Sequence, residues 1–201
     1  MNINRNEKKS IRSIFGKTLA ELGKTNPSIV VLDADLACST QTQFFAKEFP
    51  ERFFDCGIAE QDMVTTAVGL STTGKIPFAA SFAVFITGRA YDQVRNSICY
   101  PKFNVKLVGT HGGVTVGEDG ASHEALEDIS LMRTLPNMSV FVPADCNECT
   151  QIPLRYSLPL VERKEKRRFP CFRLAFQLFQ FPRMYWRQTC LHPYLSTQHA
   201  W

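Results

Sequence analysis

Ile29-Val30-Val31-Leu32-Asp33-Ala34-Asp35 decides the fold. Four aliphatic residues in succession, with no polar residue between them, read as a short strand buried on both faces. The acids that follow mark its carboxyl end, where short polar side chains favour a turn or a helix entry. Upstream, Ile11, Ile14, Phe15, Leu19 and Leu22 recur at helical spacing, which predicts an amphipathic helix over about 8–24 that ends near Gly23. Downstream, residues 41–47 read as a short helix and 52–55 as a second strand. Gly57 makes a turn, and 59–70 form a helix stopped by Gly74.

The alternation continues. Residues 76–82 are strand-like, and a helix over 90–99 stops before Pro101. Val105-Lys106-Leu107-Val108 reads as a strand, and residues 111–122, with four glycines in twelve positions, form a loop. A helix over 126–133, a strand over 139–142 and a helix starting near Asp145 follow. Nearly apolar strands alternating with helices predict an α/β fold, a parallel sheet with helices on both faces. Such sheets bind ligands beyond the carboxyl ends of their strands. Asp35, Glu60, Phe82 and His111 all fall at or just after those ends, so the fold reading is also a site prediction.

Composition narrows the function classes. The 201 residues are 44% hydrophobic and 21% charged, ordinary for a globular domain, and no apolar run approaches the roughly 20 residues of a membrane span. Seven scattered cysteines, an odd number, fit a reducing cytoplasm rather than a disulfide framework. Cys146 and Cys149 form a C-x-x-C, but no second pair or nearby histidine completes a zinc site, so they read as two ordinary thiols at a helix start. The net charge of +4 comes from the end of the chain. Residues 151–201 carry 2 Lys and 7 Arg against 2 Glu, which leaves 1–150 mildly acidic. A nucleic-acid role for the body is therefore disfavoured. The last 51 residues also lack Gly, Asp and Asn yet hold five prolines and ten aromatic residues. The expected division is a domain over 1–150 and a divergent, poorly ordered basic aromatic tail over 151–201.

Two motifs carry chemistry. Gly57-Ile58-Ala59-Glu60-Gln61-Asp62 puts a carboxylate in the first turn of a helix, where the macrodipole alone stabilises it. Its position at a strand-to-helix switch is what also makes it a ligand-site candidate. Thr110-His111-Gly112-Gly113, followed by Gly117-Glu118-Asp119-Gly120-Ala121-Ser122-His123, is a glycine-rich loop carrying two histidines and an aspartate. Such a loop is more than a connection, and one merely stapled by His–Asp hydrogen bonds is the lesser alternative. Together these motifs resemble the pyrimidine-binding domain of transketolases and related thiamine-diphosphate enzymes, over about residues 8–150. The resemblance extends to the C-terminal section, or small subunit, of a split transketolase.

That resemblance implies roles for particular residues. Glu60 would hydrogen-bond the ring nitrogen of the aminopyrimidine and trigger the cofactor to act as its own base. In Ser81-Phe82-Ala83-Val84-Phe85, the rings of Phe82 and Phe85 would pack on the pyrimidine, although simple core packing also suits them. The family's third aromatic falls near Gly88 here. His111 would bind donor hydroxyls or phosphate, Asp119 a sugar hydroxyl, and His123 would lie beside the reacting carbonyl. Asp35 and Leu36 would reach the cofactor across a subunit interface. No residue is expected to bind metal. The cofactor would be thiamine diphosphate, with Mg2+ or a similar ion held by a partner chain, since no Gly-Asp-Gly occurs in the sequence.

The implied partner is a metal-diphosphate-binding transketolase subunit, in a homodimer or heterotetramer acting on sugar phosphates. No nucleic-acid or membrane partner is expected. Beyond Thr150 the family's final strand and its substrate-phosphate arginine are not recognisable, and Arg155 and Arg173 stand in no matching context. Two alternatives stay open. One is a non-catalytic fragment or interaction module that keeps the fold; the other is a relative of deoxyxylulose-phosphate synthase, whose style Arg89-Ala90-Tyr91-Asp92-Gln93 shares.

Overall fold

A computed structural model describes residues 10–157 and the strand Cys171–Ala175. The first residues of the helix expected over about 8–24 and most of the basic tail lie outside the described residues.

The predicted α/β alternation is realised as one parallel sheet of six strands. These are β1 (Ile29–Asp33), β2 (Phe53–Asp55), β3 (Ile76–Phe82), β4 (Lys106–Thr110), β5 (Met138–Phe141) and β6 (Cys171–Ala175). Their spatial order is β2-β1-β3-β4-β6-β5, with every neighbouring pair parallel. β1 is flanked by β2 on one side and β3 on the other, so the chain reverses its direction of travel between β1 and β3. The crevice beyond the carboxyl ends of those two strands is where an open α/β sheet receives ligands.

Two-residue alternation along the strands builds two cores. Val30, Leu32, Ala79 and Leu107 face one layer, packed with Met63 and Val64 of α4 (Glu60–Thr72) and with Ile86, Val94 and Ile98 of the long helical segment over 85–99. Ile29, Val31, Phe78 and Val108 face the other, packed against Phe15 and Leu19 of α1 (Ile11–Thr25) and Phe45 of α3 (Gln43–Glu48). A run of purely apolar strand residues is thus required, because both faces are covered.

Two readings are corrected. The final strand that the sequence did not reveal beyond Thr150 exists: Cys171–Ala175 pairs with Lys106, Leu107, Val108 and Gly109 of β4 and with β5, closing what would have been a gap in the sheet. The helix expected to begin near residue 90 begins at Phe85, with wide, five-residue hydrogen bonds such as Ala90 N to Phe85 O. A short helix α2 (Ala37–Thr40) also precedes α3. α6 (Asp128–Arg133) and α7 (Cys146–Tyr156) complete the helices, so the domain limit expected at 150 falls within α7. Asp145 caps α7 by accepting from Glu148 N at 2.9 Å, while Glu148 Oε2 accepts from Ala144 N at 2.8 Å, a reciprocal cap. Cys149 is buried and its Sγ faces the Ile11 carbonyl at 3.4 Å, an ordinary thiol whose pKa is pushed up by burial.

Helix α1 approaches the α2–α3 segment closely. A Cβ placed on Gly16 would lie 2.2 Å from the Gln41 carbonyl oxygen and 2.9 Å from Phe44 Cδ2, whereas nothing lies within 4 Å of one placed on Gly69 in α4. Gly16→Ala is therefore expected to destabilise the chain by about 2 kcal/mol through overpacking against backbone. Gly69→Ala should stabilise it by about 0.5–1 kcal/mol through helix propensity. Urea unfolding midpoints of the two variants should move in opposite directions.

Candidate functional site

Four of the predicted residues gather at the carboxyl ends of β3 and β4. Phe82 closes β3 and is buried, and Phe85 opens the following helix; their rings stack with centroids 6.1 Å apart and planes 7° from parallel. His111, the first residue after β4, packs its ring on Phe82 at 4.0 Å. His123 presents its ring edge-on to both, 6.0 Å from Phe82 and 5.1 Å from Phe85. The glycine-rich loop folds back on itself through an isolated antiparallel bridge between Gly113 and Ala125, which brings together two histidines twelve positions apart on the same aromatic pair.

Glu60 is the first residue of α4, as expected, and its side chain is only 1% exposed. Burial of a carboxylate requires partners. Its Oε1 accepts from Ser81 Oγ at 3.3 Å, and Oε2 lies 2.6 Å from Arg89 Nη1. Arg89 in turn holds its guanidinium 4.5 Å above the centre of the Phe85 ring. Glu60 and the aromatic pair are thus joined through Ser81, the neighbour of Phe82, and through Arg89, one turn beyond Phe85. The position where the family's third aromatic would fall, Gly88, faces open space.

A second arginine, not singled out from the sequence, completes the site. Arg12 of α1 donates from Nη1 to the Ser39 carbonyl at 2.7 Å and lies 3.0 Å from His111 Nε2. Because a guanidinium only donates, Nε2 must be the acceptor. His111 therefore carries its proton on Nδ1, which donates to Thr110 Oγ1 at 2.9 Å. Burial and the neighbouring Arg12 charge together hold the His111 pKa down at about 4. A neutral imidazole beside a guanidinium is suited to hydrogen-bond an oxygen-rich ligand, with Arg12 available for its anionic end.

Asp35, Leu36 and Asp119 stand apart from this cluster. Asp35 is exposed, in a left-handed conformation with φ of 60°, and its amide donates to Asp55 Oδ1 at 3.0 Å; the Leu36 amide donates to Asp33 Oδ1 at 2.7 Å. Asp119 is exposed on the loop, and its charge weakly favours protonation of His111. The residue that orders this corner is Asp33, which the sequence marked only as the end of a strand. It is fully buried and accepts from Thr40 Oγ1 at 2.7 Å, Thr42 Oγ1 at 2.8 Å and the Leu36 amide. Burial raises its pKa despite these donors. Among the described residues no group of three or more His, Cys, Asp or Glu side chains gathers to hold a metal ion, and no helix is long and apolar enough to cross a membrane.

Comparison with known proteins places these features in a family. Residues 7–157 match the family described as transketolase, pyrimidine binding domain. A protein of Methanocaldococcus jannaschii, provisionally named a transketolase C-terminal section, is 61% identical over 137 residues, covering 68% of this chain and 43% of that protein. Human transketolase is 44% identical over 140 residues, covering 69% of this chain and 22% of the enzyme. Among solved structures, an inactive beta4 tetramer of a split-gene transketolase aligns with a TM-score of 0.68 at 52% identity, over 82% of this chain and 50% of the other. Transketolase from Leishmania mexicana aligns with a TM-score of 0.71 at 26% identity, over 85% of this chain and 26% of the other. The chain therefore spans less than half the length of these curated relatives.

The low pKa of His111 has a measurable sign. From pH 6.5 down to about 4 the unfolded chain binds a proton that native His111 refuses, so stability should fall as pH falls through that window. Nitrogen-15 NMR of the imidazole should report a neutral ring protonated on Nδ1 at pH 6. Arg12→Met should move its titration upward, though not to the ordinary value, because burial is the larger cause.

Proposed function

This chain belongs to the transketolase pyrimidine-binding domain family, and from that premise we propose that it is one half of a two-chain, thiamine-diphosphate-dependent transketolase. It would contribute the aminopyrimidine and sugar-binding side of the site. A metal-diphosphate subunit would contribute the rest, in a heterotetramer. The observation that carries this reading is the buried Glu60 carboxylate at the head of α4, joined through Ser81 and Arg89 to the Phe82–Phe85 pair. A flat ring with a basic nitrogen on its edge needs such a combination: an aromatic surface and a carboxyl group at its rim.

The residues present fit that group. Glu60, at the positive end of α4, would share a proton with the ring nitrogen, while Phe82 and Phe85 hold the ring plane. When bound, thiamine diphosphate supplies an electron sink for breaking the carbon–carbon bond next to a ketose carbonyl. Around the reacting sugar, neutral His111 would hydrogen-bond hydroxyls and His123 would lie beside the carbonyl. Asp119 would reach a further hydroxyl as the loop adjusts. Arg12 is the cation for the substrate phosphate, in place of the arginine sought after residue 150. Its position against His111 and the Ser39 carbonyl supports that role. Asp35 and Leu36 would meet the cofactor only in the assembled complex. Exposed Phe54 and Ile58, flanking the turn before Glu60, give a partner subunit an apolar surface to cover.

The inactive state of the related beta4 tetramer agrees with a half-site that needs its complement. The test is ketol transfer from a ketose phosphate to an aldose phosphate, using the full chain with and without a metal-diphosphate subunit. Activity should appear only with the partner, and Glu60→Gln should lower kcat by about 100-fold or more. Absence of transfer with a competent partner would favour the non-catalytic module.

A further inference from the structure

Glu60 is almost closed off, and what closes it is Arg89. The Arg89 side chain is 45% exposed, donates to Glu60 Oε2 at 2.6 Å and holds its guanidinium carbon over Phe85, 4.5 Å from the ring centre. A guanidinium is planar, cationic and edged with N–H donors. A protonated aminopyrimidine has the same three properties. The two contacts it would need here, a carboxyl rim and an aromatic face, are the two that Arg89 already makes. An aromatic face carrying a guanidinium at that distance has no room for a second plane in the same place.

We propose that Arg89 occupies the aminopyrimidine's seat in the unliganded chain, a built-in competitor that must swing aside before a flat, basic heterocycle can bind. The proposal rests on the reading of Glu60 as the pyrimidine's partner. The local structure lets the side chain move while the backbone stays. Gln61 Nε2 donates to the Arg89 carbonyl at 3.1 Å, and Ala90 behind it is fully buried, so the main chain is anchored at both points. On the solvent side, the space beside Gly88 is open. A long side chain pivoting from a fixed helical position needs no rearrangement of the core. The cost falls on affinity, which is reduced by the fraction of molecules in which Arg89 has left the seat. Release also frees Glu60 Oε2, the atom that Arg89 Nη1 holds at 2.6 Å, for the edge of a flat heterocycle.

The experiment is calorimetric titration of the full chain with 4-amino-5-hydroxymethyl-2-methylpyrimidine, using wild type, Arg89→Ala and the bulk-preserving Arg89→Gln. Folding of each is checked by circular dichroism. Both variants should bind about tenfold more tightly than wild type, the gain expected when a competitor filling the seat nine-tenths of the time is removed. Low-millimolar guanidinium chloride should then compete with the probe in Arg89→Ala and leave wild-type affinity unchanged, a signature that a merely structural role for Arg89 would not give. Folded variants that bind as wild type does, or more weakly, would overturn the competitor role while leaving Glu60's pyrimidine site standing. Failure of every folded form to bind the probe would also overturn the competitor role, and if the wild-type chain plus metal-diphosphate subunit likewise failed to bind thiamine diphosphate and Mg2+, the reading of Glu60 would fall with it.

Discussion

The site hangs on a carboxylate that has no access to water. Asp33 ends the central strand inside the molecule, and a buried acid that lacked donors would cost several kcal/mol. Its donors come from the segment that follows: the Leu36 amide and the hydroxyls of Thr40 and Thr42. Satisfying Asp33 therefore coils residues 36–42 into a fixed corner. That corner presents the Ser39 carbonyl to Arg12, and Arg12, held there, meets His111. The main chain of Asp33 continues the pattern on its other side, accepting from the Cys56 amide at 2.9 Å. Asp55 then bonds the amides of Asp35 and Gly57 through one oxygen, tying the first strand's corner to the turn that leads to Glu60. One buried acid thus sets the position of the Arg12–His111 pair relative to the turn that leads to Glu60.

How far this could be read in advance depends on where each signal is stored. The strands of the body were legible because burial on both faces demands unbroken apolar runs, as in Ile29–Asp33 and Ile76–Phe82. The placement of Glu60 at the head of a helix and of the His111–His123 loop after β4 was legible because glycines and acids punctuate the strand ends. β6 was not, since Cys-Phe-Arg-Leu-Ala carries an arginine at its centre and lies in a stretch without Gly, Asp or Asn to punctuate it, with only Pro170 directly before it. Its identity as a strand comes from pairing with β4, more than sixty positions earlier. Arg12 occupies a polar position of an amphipathic helix and reads there as a solvated surface charge. Only the arrival of His111, 99 positions later, gives it a partner. Arg89 was visible as part of a family-like run, but its reach over Phe85 depends on the wide helical turn between them, which no propensity reveals.

The two faces of the sheet divide the labour. The layer formed by α4 and the helical segment over 85–99 carries Glu60, Phe85 and Arg89, the residues proposed to face a pyrimidine. The layer containing α1 and α3 carries Arg12 and is packed so closely at Gly16 that the helix cannot slide. Under the proposed function, cofactor recognition would fall to one layer, with a half-exposed arginine. The arginine proposed for the substrate phosphate stands on the other, held against the Ser39 carbonyl. Both sets of groups meet only at the strand ends, which is why neither layer alone carries a legible site.

Asp35 and His111 share one further property, a backbone in the left-handed region, with φ of 60° and 54°. For a residue with a Cβ that conformation is disfavoured by roughly 1–2 kcal/mol. Glycine would relieve the strain at either position. Each of these two strand ends therefore carries a side chain at a conformational cost that glycine would not incur. The carboxylate and the imidazole at the carboxyl edge of the sheet are held there by the surrounding bonds, to Asp55 for the Asp35 amide and to Arg12 and Thr110 for the His111 ring, rather than by backbone preference.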